Sequence, residues 1–255
     1  MMASSLTAER RNRLAQILVS EGSVKVGELA EMFSVSTETI RKDLIFLESE
    51  GIARKSHGGA IASSELLERP LSAKALENVD AKNKIAQAAA ELIPDKGVII
   101  LDSGSTTSQI AKILTIKKGL TIITNSISIA QILSSSDNTV YTLGGKMRGS
   151  SMALVGLWTV NELNVVKADI AFLGTDGFYS RGGPCTASFD EAQVKKAMIQ
   201  NSKKSIVVCD NNKFKMDPLI QYCEWKEIDC VITNESVSEK DISELNKHVG
   251  VKIAT

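Results

Sequence analysis

Six consecutive residues, Asp102-Ser-Gly-Ser-Thr-Thr107, place a carboxylate, four hydroxyls and a glycine directly after the apolar run Val98-Ile-Ile-Leu101. Between a buried strand and a helix carrying Ile110, Ile113 and Leu114, such a loop turns free N–H groups and hydroxyls outward, and Gly104 lets a ligand approach the backbone. That is the chemistry of anion binding. The segment is not a nucleotide-binding P-loop, because no Gly-Lys-Ser/Thr closes it, and the lone Gly104 does not make the Gly-x-Gly-x-x-Gly of dinucleotide folds. A capped helix start with no ligand reads the same way locally, so the loop has to be judged in company.

The company is a series of short apolar runs: Leu120–Thr124, Thr139–Leu143, Ile170–Leu173, Ser205–Cys209 and Asp229–Thr233, several separated by segments of helical length. This spacing predicts an α/β unit with a largely parallel sheet. Parallel sheets bind ligands beyond the carboxyl ends of their strands. The residues there are small and polar: Asn125-Ser126, Gly144-Gly145, Gly174-Thr-Asp-Gly177 and Asp210-Asn-Asn-Lys213. Lys213 supplies a positive charge suited to a phosphate, and Asp176, Asp190, Glu191 and Lys195 suit hydroxyls. Plainer readings stand beside these. Lys213 is equally a solvated loop cation, and Glu191 with Lys195, four apart, equally an ordinary helical ion pair.

A different chemistry belongs to Ser34-Val-Ser-Thr-Glu-Thr-Ile-Arg-Lys-Asp-Leu44. Val35, Ile40, Leu44 and Leu47 recur at helical spacing on one side. Thr37, Glu38, Arg41 and Lys42 take the other side, and with Ser36 and Thr39 they are the hydroxyls, acceptors and cations that reach base edges and phosphates in a major groove. Upstream, Val26-Gly-Glu-Leu-Ala-Glu-Met-Phe33 forms a short helix with Val26, Leu29, Ala30 and Phe33 inward, so two helices meet across a tight turn. Downstream, Gly51 is expected to stop the helix, and Ile52 to Ile61 alternates around a Gly-Gly turn as a hairpin bearing Arg54, Lys55 and His57. This predicts a winged helix-turn-helix.

The remaining elements position these two sets. Thr7 is expected to cap a first helix through about Ser20, with Leu14, Ile17 and Leu18 inward and Arg10, Arg11 and Arg13 in its first turns. The pattern then loosens toward Pro70. An alanine-rich helix from Asp80 to Ile93, with Ile85, Ala89, Leu92 and Ile93 on one face, opens the second region. The expected division is a DNA-binding domain at 1–62, a linker at 63–75 and a ligand-sensing, oligomerising domain at 76–255.

The chain has 255 residues, 43% hydrophobic and 24% charged, which suits one large or two modest globular domains. No apolar run is long enough to cross a membrane and no signal-type segment opens the chain, so a cytoplasmic protein without a membrane partner is expected. Cys185, Cys209, Cys223 and Cys230 form no Cys-x-x-Cys pair and there are two histidines, which suggests neither a disulfide framework nor a metal site. Formal charge is zero, and residues 1–62 carry eight Lys plus Arg against eight Asp plus Glu. Overall charge therefore does not advertise nucleic-acid binding. Seven of these cations, however, fall in three short stretches, at 10–13, 41–42 and 54–55, which leaves room for a basic stripe on one face.

Val24 to Ala60, with Val35-Ser36, Thr39-Ile40-Arg41-Lys42-Asp43-Leu44, Leu47-Glu48 and His57-Gly58-Gly59-Ala60, resembles the DeoR family of bacterial transcriptional regulators. Ser34 departs from that pattern, in which such turns often carry Gly. Across almost all of residues 75–253, Asp102–Thr107, Thr124-Asn-Ser126, Gly144-Gly145, Asp190-Glu-Ala-x-Val-Lys195 and Asp210-x-x-Lys-Phe214 resemble the DeoR-type sensor domain. The resemblance implies a domain that senses phosphorylated sugars, with site residues Asp102, Ser103, Gly104, Ser105, Thr106, Thr107, Asp176, Glu191, Lys195 and Lys213, to which Asn125 is added. The sensor is also similar to ribose-5-phosphate isomerase, but Arg181 precedes Gly182-Gly183 where the isomerase has its catalytic Lys, and a guanidinium does not shuttle protons at neutral pH.

These observations together predict a regulator, by family expectation a repressor, of a sugar or polyol catabolic operon. Its partners are double-stranded operator DNA, a phosphorylated sugar effector and a second copy of itself in a homodimer or homotetramer. No catalytic residue, cofactor or metal is expected. The alternative is a sugar-phosphate isomerase-like enzyme with an accessory DNA-binding head.

Overall fold

In the computed structural model, which describes residues 2–49, 53–62 and 70–255, the first helix α1 (Met2–Glu21) begins well before Thr7. Thr7 is therefore inside the helix and not its cap. Leu14 and Leu18, one turn apart, are fully buried on its inner face. They pack with Val26, Leu29 and Ala30 of α2 (Val26–Phe33) and Ile40, Leu44 and Leu47 of α3 (Thr37–Ser49) in one apolar cluster. The expected helix stop at Gly51, the hairpin's first residue Ile52 and residues 63–69 of the linker lie outside the described residues.

Three strands complete this unit. β2 (Ala53–Ser56) and β3 (Gly59–Ala62) form the expected hairpin, and β1 (Ser23–Lys25), which has no signature of its own at three residues, pairs with β3. The register closes the hairpin over His57-Gly58 and not over Gly58-Gly59, because Ser56 pairs with Gly59. Gly58 takes the left-handed conformation of the turn, at φ +81°. Gly59 has a separate reason to be glycine: a Cβ there would meet the Val24 carbonyl oxygen at 1.9 Å.

The chain divides into two compact units, Met1–Lys74 and Ala75–Thr255. The short helix α4 (Leu71–Leu76) follows Pro70, and the second unit proper opens with α5 (Val79–Ala90). α5 ends three residues before the expected Ile93, which leaves Leu92 facing solvent while Ile85 and Ala89 are fully buried.

Seven parallel strands form the sheet of the second unit: β4 (Gly97–Leu101), β5 (Leu120–Thr124), β6 (Thr139–Thr142), β9 (Ile170–Gly174), β11 (Ser205–Val208), β13 (Cys230–Asn234) and β14 (Val251–Ala254). Their spatial order is β14-β13-β11-β9-β4-β5-β6. β14, an edge strand of four residues in which Lys252 interrupts the apolar positions, escapes the run-based reading. Strand residues alternate between the two faces. Ile99 and Leu101 join α5, α6 (Ser105–Leu114) and α7 (Ile127–Leu133) in one apolar layer, and Ile100 joins α9 (Phe189–Gln200) and Leu163 of α8 (Leu157–Leu163) in the other. Outside the sheet lie the antiparallel pairs β7 (Lys146–Arg148) with β8 (Ala153–Val155) and β10 (Cys185–Thr186) with β12 (Ile220–Gln221). A last helix, α10 (Glu239–Leu245), precedes β14.

Strand order reverses at β4: the chain moves outward to β5 and β6, then returns through β9 to build the opposite half. Such a switch point leaves a crevice at the strands' carboxyl ends. Asp102 follows β4 and Gly174 ends β9, so the polar loops of both border that crevice.

Ser34, at the end of α2, is left-handed at φ 52° and ψ 43°, and its N–H closes the helix onto the carbonyls of Ala30 and Glu31. A residue with a Cβ is strained there by about 1–2 kcal/mol, part of which glycine would give back through greater freedom in the unfolded chain. Ser34→Gly is therefore expected to stabilise the first unit by roughly 0.5–1 kcal/mol, read as a higher denaturation midpoint. An unchanged or lower midpoint would show that the turn is not strained.

Candidate functional site

The outer face of α3 is built as its spacing predicts. Thr37, Glu38, Arg41 and Lys42 are exposed while Ile40, Leu44 and Leu47 are buried. Arg41 lies 3.6 Å from Glu38 in an exposed pair. Pairs of this kind contribute little in water, so Arg41 can exchange Glu38 for a base edge at small cost. Ser36 and Thr39 have another task. The Ser36 hydroxyl accepts the Thr39 N–H at 3.2 Å and lies 2.9 Å from the Thr39 hydroxyl, which caps the start of α3.

Asp43 lies on the inner side of α3 and is almost fully buried. Its two carboxylate oxygens take the Nε of Arg10 at 2.6 Å and the Nε of Arg11 at 2.8 Å, and the Arg11 guanidinium sits 4.0 Å from the centre of the Phe46 ring. Two of the three arginines expected to lend positive charge to a stripe are thus spent on locking α1 to α3. Arg13 remains exposed.

Arg54, Lys55 and His57 are all exposed on the wing. Arg54 pairs with Ile61 and Lys55 with Ala60, so the two cations leave the strand on opposite faces. The Lys55 N–H donates to Glu48 at 2.8 Å, which holds the wing against the last turn of α3.

The second unit brings its candidate residues together around one buried ion pair at the switch point. Asp102 and Lys195 are both buried and in direct hydrogen-bonded contact. Asp102 also accepts the Gly174 N–H at 2.9 Å, and Lys195 donates to the Gly174 carbonyl at 3.1 Å, so the pair joins β4, β9 and α9. The Tyr222 hydroxyl donates to the same carbonyl at 2.9 Å. Burial raises the Asp102 pKa against the pull of Lys195. For Lys195, burial alone would lower the pKa, but the carboxylates of Asp102, Glu191 and Asp176 outweigh it and hold the ammonium charged. Lys195 does not pair with Glu191, so the plain helical-pair reading fails.

Glu191 instead accepts the Ser151 hydroxyl at 2.6 Å and the Thr186 hydroxyl at 2.9 Å, with Arg148 Nε 3.2 Å away. Asp176 accepts from Thr186 at 3.1 Å and from the Ala187 N–H at 3.2 Å. Asp190 stands apart, facing Lys146 at 3.4 Å.

In the Asp102–Thr107 loop the first-turn N–H groups of α6, at Ser105, Thr106 and Thr107, precede the first intrahelical bond, which runs from Ser108 to Gly104. They face no acceptor among the described residues. The Thr107 hydroxyl is fully buried and donates to the Gly104 carbonyl at 3.0 Å, so that side chain supports the loop and does not line its surface. Asn125 is committed in the same sense: its side chain accepts the Ser103 N–H at 3.1 Å and donates to the Leu154 carbonyl at 3.2 Å, which sets the loop's position.

Lys213 is half-buried in a 3-10 turn over Asn211–Lys215 that Asp210 caps, and it carries no ion pair among the described residues. Its carbonyl accepts the Phe178 N–H at 3.2 Å, and the rings of Phe178, Phe214 and Trp225 meet edge to face at 4.8 and 5.0 Å. Gly177 allows this contact: at φ +154°, a Cβ there would lie 2.4 Å from the Met216 backbone oxygen. Lys213 is thereby docked against the loop that carries Asp176. Arg181, at the place of the isomerase lysine, is exposed and bound by Asp217 at 2.5 Å.

Arg148, Ser151, Thr186 and Tyr222 belong to this network and were not read from the sequence. Arg148-Gly-Ser-Ser151 has the small-polar composition of the chosen loops, but it follows a strand of three residues that shows no apolar run. Among the described residues no helix is long and apolar enough to cross a membrane, and no cluster of metal-ligating side chains occurs.

With this geometry in view, residues 10–65 match the DeoR-like helix-turn-helix domain and residues 77–235 the DeoR C terminal sensor domain. A relative from Escherichia coli O157:H7, provisionally named an aga operon transcriptional repressor, is 33% identical over 97% of this chain and 93% of its own. The glycerol-3-phosphate regulon repressor of Escherichia coli K12 is 29% identical over 89% of this chain and 90% of its own. Among solved structures, ribose 5-phosphate isomerase A from Methanocaldococcus jannaschii matches with a TM-score of 0.40 at 22% identity, over 54% of this chain and 55% of that one, a likeness too distant to carry chemistry.

The buried pair yields a direct test. Lys195→Met leaves Asp102 buried without its cation and is expected to cost about 3–5 kcal/mol of stability. Adding Asp102→Asn to that variant should recover a large part of the loss, because both charges are then gone. A double variant no more stable than Lys195→Met, by denaturant titration, would show that packing and not charge pairing dominates.

Proposed function

The chain belongs to the DeoR family of transcriptional regulators, and from that premise we propose that it represses a sugar or polyol catabolic operon and leaves its operator when a phosphorylated sugar binds the second unit. The observation that supports the effector half of this reading is that segments following the neighbouring strands β4, β9 and β11 carry first-turn N–H groups of α6 and a Lys213 ammonium with no partner among the described residues, and the acceptor Asp176, with Glu191 linked to it through Thr186. The first two suit a phosphate, the last two its hydroxyl-bearing chain. The relative named for the glycerol-3-phosphate regulon supports an effector of this class.

For DNA, the exposed Thr37, Glu38, Arg41 and Lys42 would enter the major groove, with Arg54, Lys55 and His57 of the wing on the backbone. Ser36 and Thr39 would act by shaping the start of α3. One such head makes few contacts, so pairing of chains in a homodimer or homotetramer follows, on half-sites spaced by whole turns of about 10 base pairs. Release is then linkage: an effector that binds one arrangement of the paired chains better shifts the population away from the one that fits the operator. The domain limits that suit this scheme are 1–62 for the head, 63–75 for the linker and 76–255 for the sensor. An isomerase reading has less support, since Arg181 is engaged by Asp217 and Lys195 is held charged, leaving neither to move a proton.

The experiment is titration of the purified protein against DNA upstream of its own and neighbouring genes, at fixed salt, with and without a panel of sugar phosphates. Specific binding weakened by one of them is expected. Arg41→Ala is expected to lose roughly 1–3 kcal/mol of operator affinity, and an unaltered affinity would take Arg41 off the bases. Lys213→Ala should keep operator affinity and need at least about tenfold more effector for release, a charge-assisted hydrogen bond being lost. Normal release in that variant would remove Lys213 from the phosphate site, and turnover of ribose 5-phosphate would favour the enzyme instead.

A further inference from the structure

Glu191 is engaged by three side chains, and two of them come from the β7–β8 hairpin. The halves of that hairpin are held very differently. β8 is anchored: Ala153 and Val155 are fully buried, the Leu154 N–H donates to the Asn125 carbonyl at 2.7 Å, and the Ile127 N–H donates to the Met152 carbonyl at 3.1 Å. β7 pairs with β8 alone, and Lys146 and Met147 are exposed. The loop between them delivers Ser151 to Glu191 at 2.6 Å, and β7 delivers Arg148 at 3.2 Å.

On its other oxygen Glu191 shares a donor. The Thr186 hydroxyl lies 2.9 Å from Glu191 and 3.1 Å from Asp176, yet it has one proton to give. Glu191 lies one helical turn before Lys195 on α9. The Ser151 hydroxyl on Glu191 is itself the chemistry of a ligand hydroxyl, supplied by a loop whose outer strand pairs with β8 alone.

Resting on the reading that a phosphorylated sugar binds this unit, we propose that Arg148 and Ser151 determine which one is accepted. Ser151 stands in for an effector hydroxyl on Glu191 and is displaced by it, while Arg148 stays beside Glu191 as its ion-pair partner and holds the carboxylate in place. The ligand class is a phosphate monoester with a hydroxyl placed to reach Glu191. Its deoxy analogue at that hydroxyl, and inorganic phosphate, do not engage the hairpin. Arg148 acts through Glu191 and is a positioning residue.

Calorimetric titration of the full chain with sugar phosphates, the deoxy analogue of the best binder, and inorganic phosphate tests this. Ser151→Ala removes the internal competitor, so it should tighten the best binder about 3- to 10-fold and leave inorganic phosphate unchanged. Arg148→Gln should weaken the best binder at least about tenfold, narrow its margin over the deoxy analogue, and leave inorganic phosphate within about twofold, with Arg148→Lys in between. Weaker binding in Ser151→Ala would overturn the stand-in role. Equal losses for every ligand in Arg148→Gln, with a lowered melting temperature, would reduce Arg148 to a structural strut. If the unaltered protein binds no sugar phosphate, the underlying effector reading fails, and that result is visible before any variant is made.

Discussion

The buried contact between Asp102 and Lys195 is the constraint on which the second unit's chemistry depends. Two charges withdrawn from water cost several kcal/mol each unless geometry returns it, and here each charge has further partners: Asp102 takes the Gly174 N–H and Lys195 gives to the Gly174 carbonyl. Both sides of one peptide neighbourhood in β9 are therefore read by groups from β4 and α9. The place where strand order reverses would otherwise be an open crevice. The pair ties the end of β4, the end of β9 and α9 together there, beside the start of α6 and the loop that carries Asp176.

The first unit has its own buried charge, and the solution differs. Asp43 is nearly inaccessible, but its two arginines are partly exposed and remain solvated on their outer edges. The cost of the buried carboxylate is offset by two charge-assisted bonds from α1. Through them the position of α3 is referred to the first helix of the chain, and Glu48 refers the wing to α3. The exposed Thr37, Glu38, Arg41 and Lys42 of α3 are thereby left out of these anchoring contacts.

Much of this was legible in the sequence, for identifiable reasons. α3 could be read because Val35, Ile40, Leu44 and Leu47 separate cleanly from Thr37, Glu38, Arg41 and Lys42 at helical spacing. The loops of the second unit could be read because parallel strands are apolar runs whose ends are marked by small polar residues. What escaped was set by contacts between distant positions. Nothing local tells that Arg10 and Arg11 serve Asp43, more than thirty residues away, or that Lys195 passes over Glu191 for Asp102. Strands of three or four residues, such as β1, β7 and β14, are too short for periodicity, and they are defined by the partner they find. The hairpin turn moved by one residue because pairing of Ser56 with Gly59, and not glycine content, sets the register.

The double arginine clamp also bears on how the protein would respond to ions. Condensed cations leave DNA in proportion to the phosphates a protein neutralises, and the slope of log affinity against log salt measures that number. Arg10 and Arg11 share the one negative charge of Asp43, and Arg54 and Lys55 leave β2 on opposite faces. Of the eight formal cations in residues 1–62, two thus share one internal carboxylate, so a salt slope smaller than the formal cation count is expected. Discrimination between an operator and the rest of a genome depends on the ratio of specific to non-specific affinity, and charge spent inside a domain lowers the non-specific part.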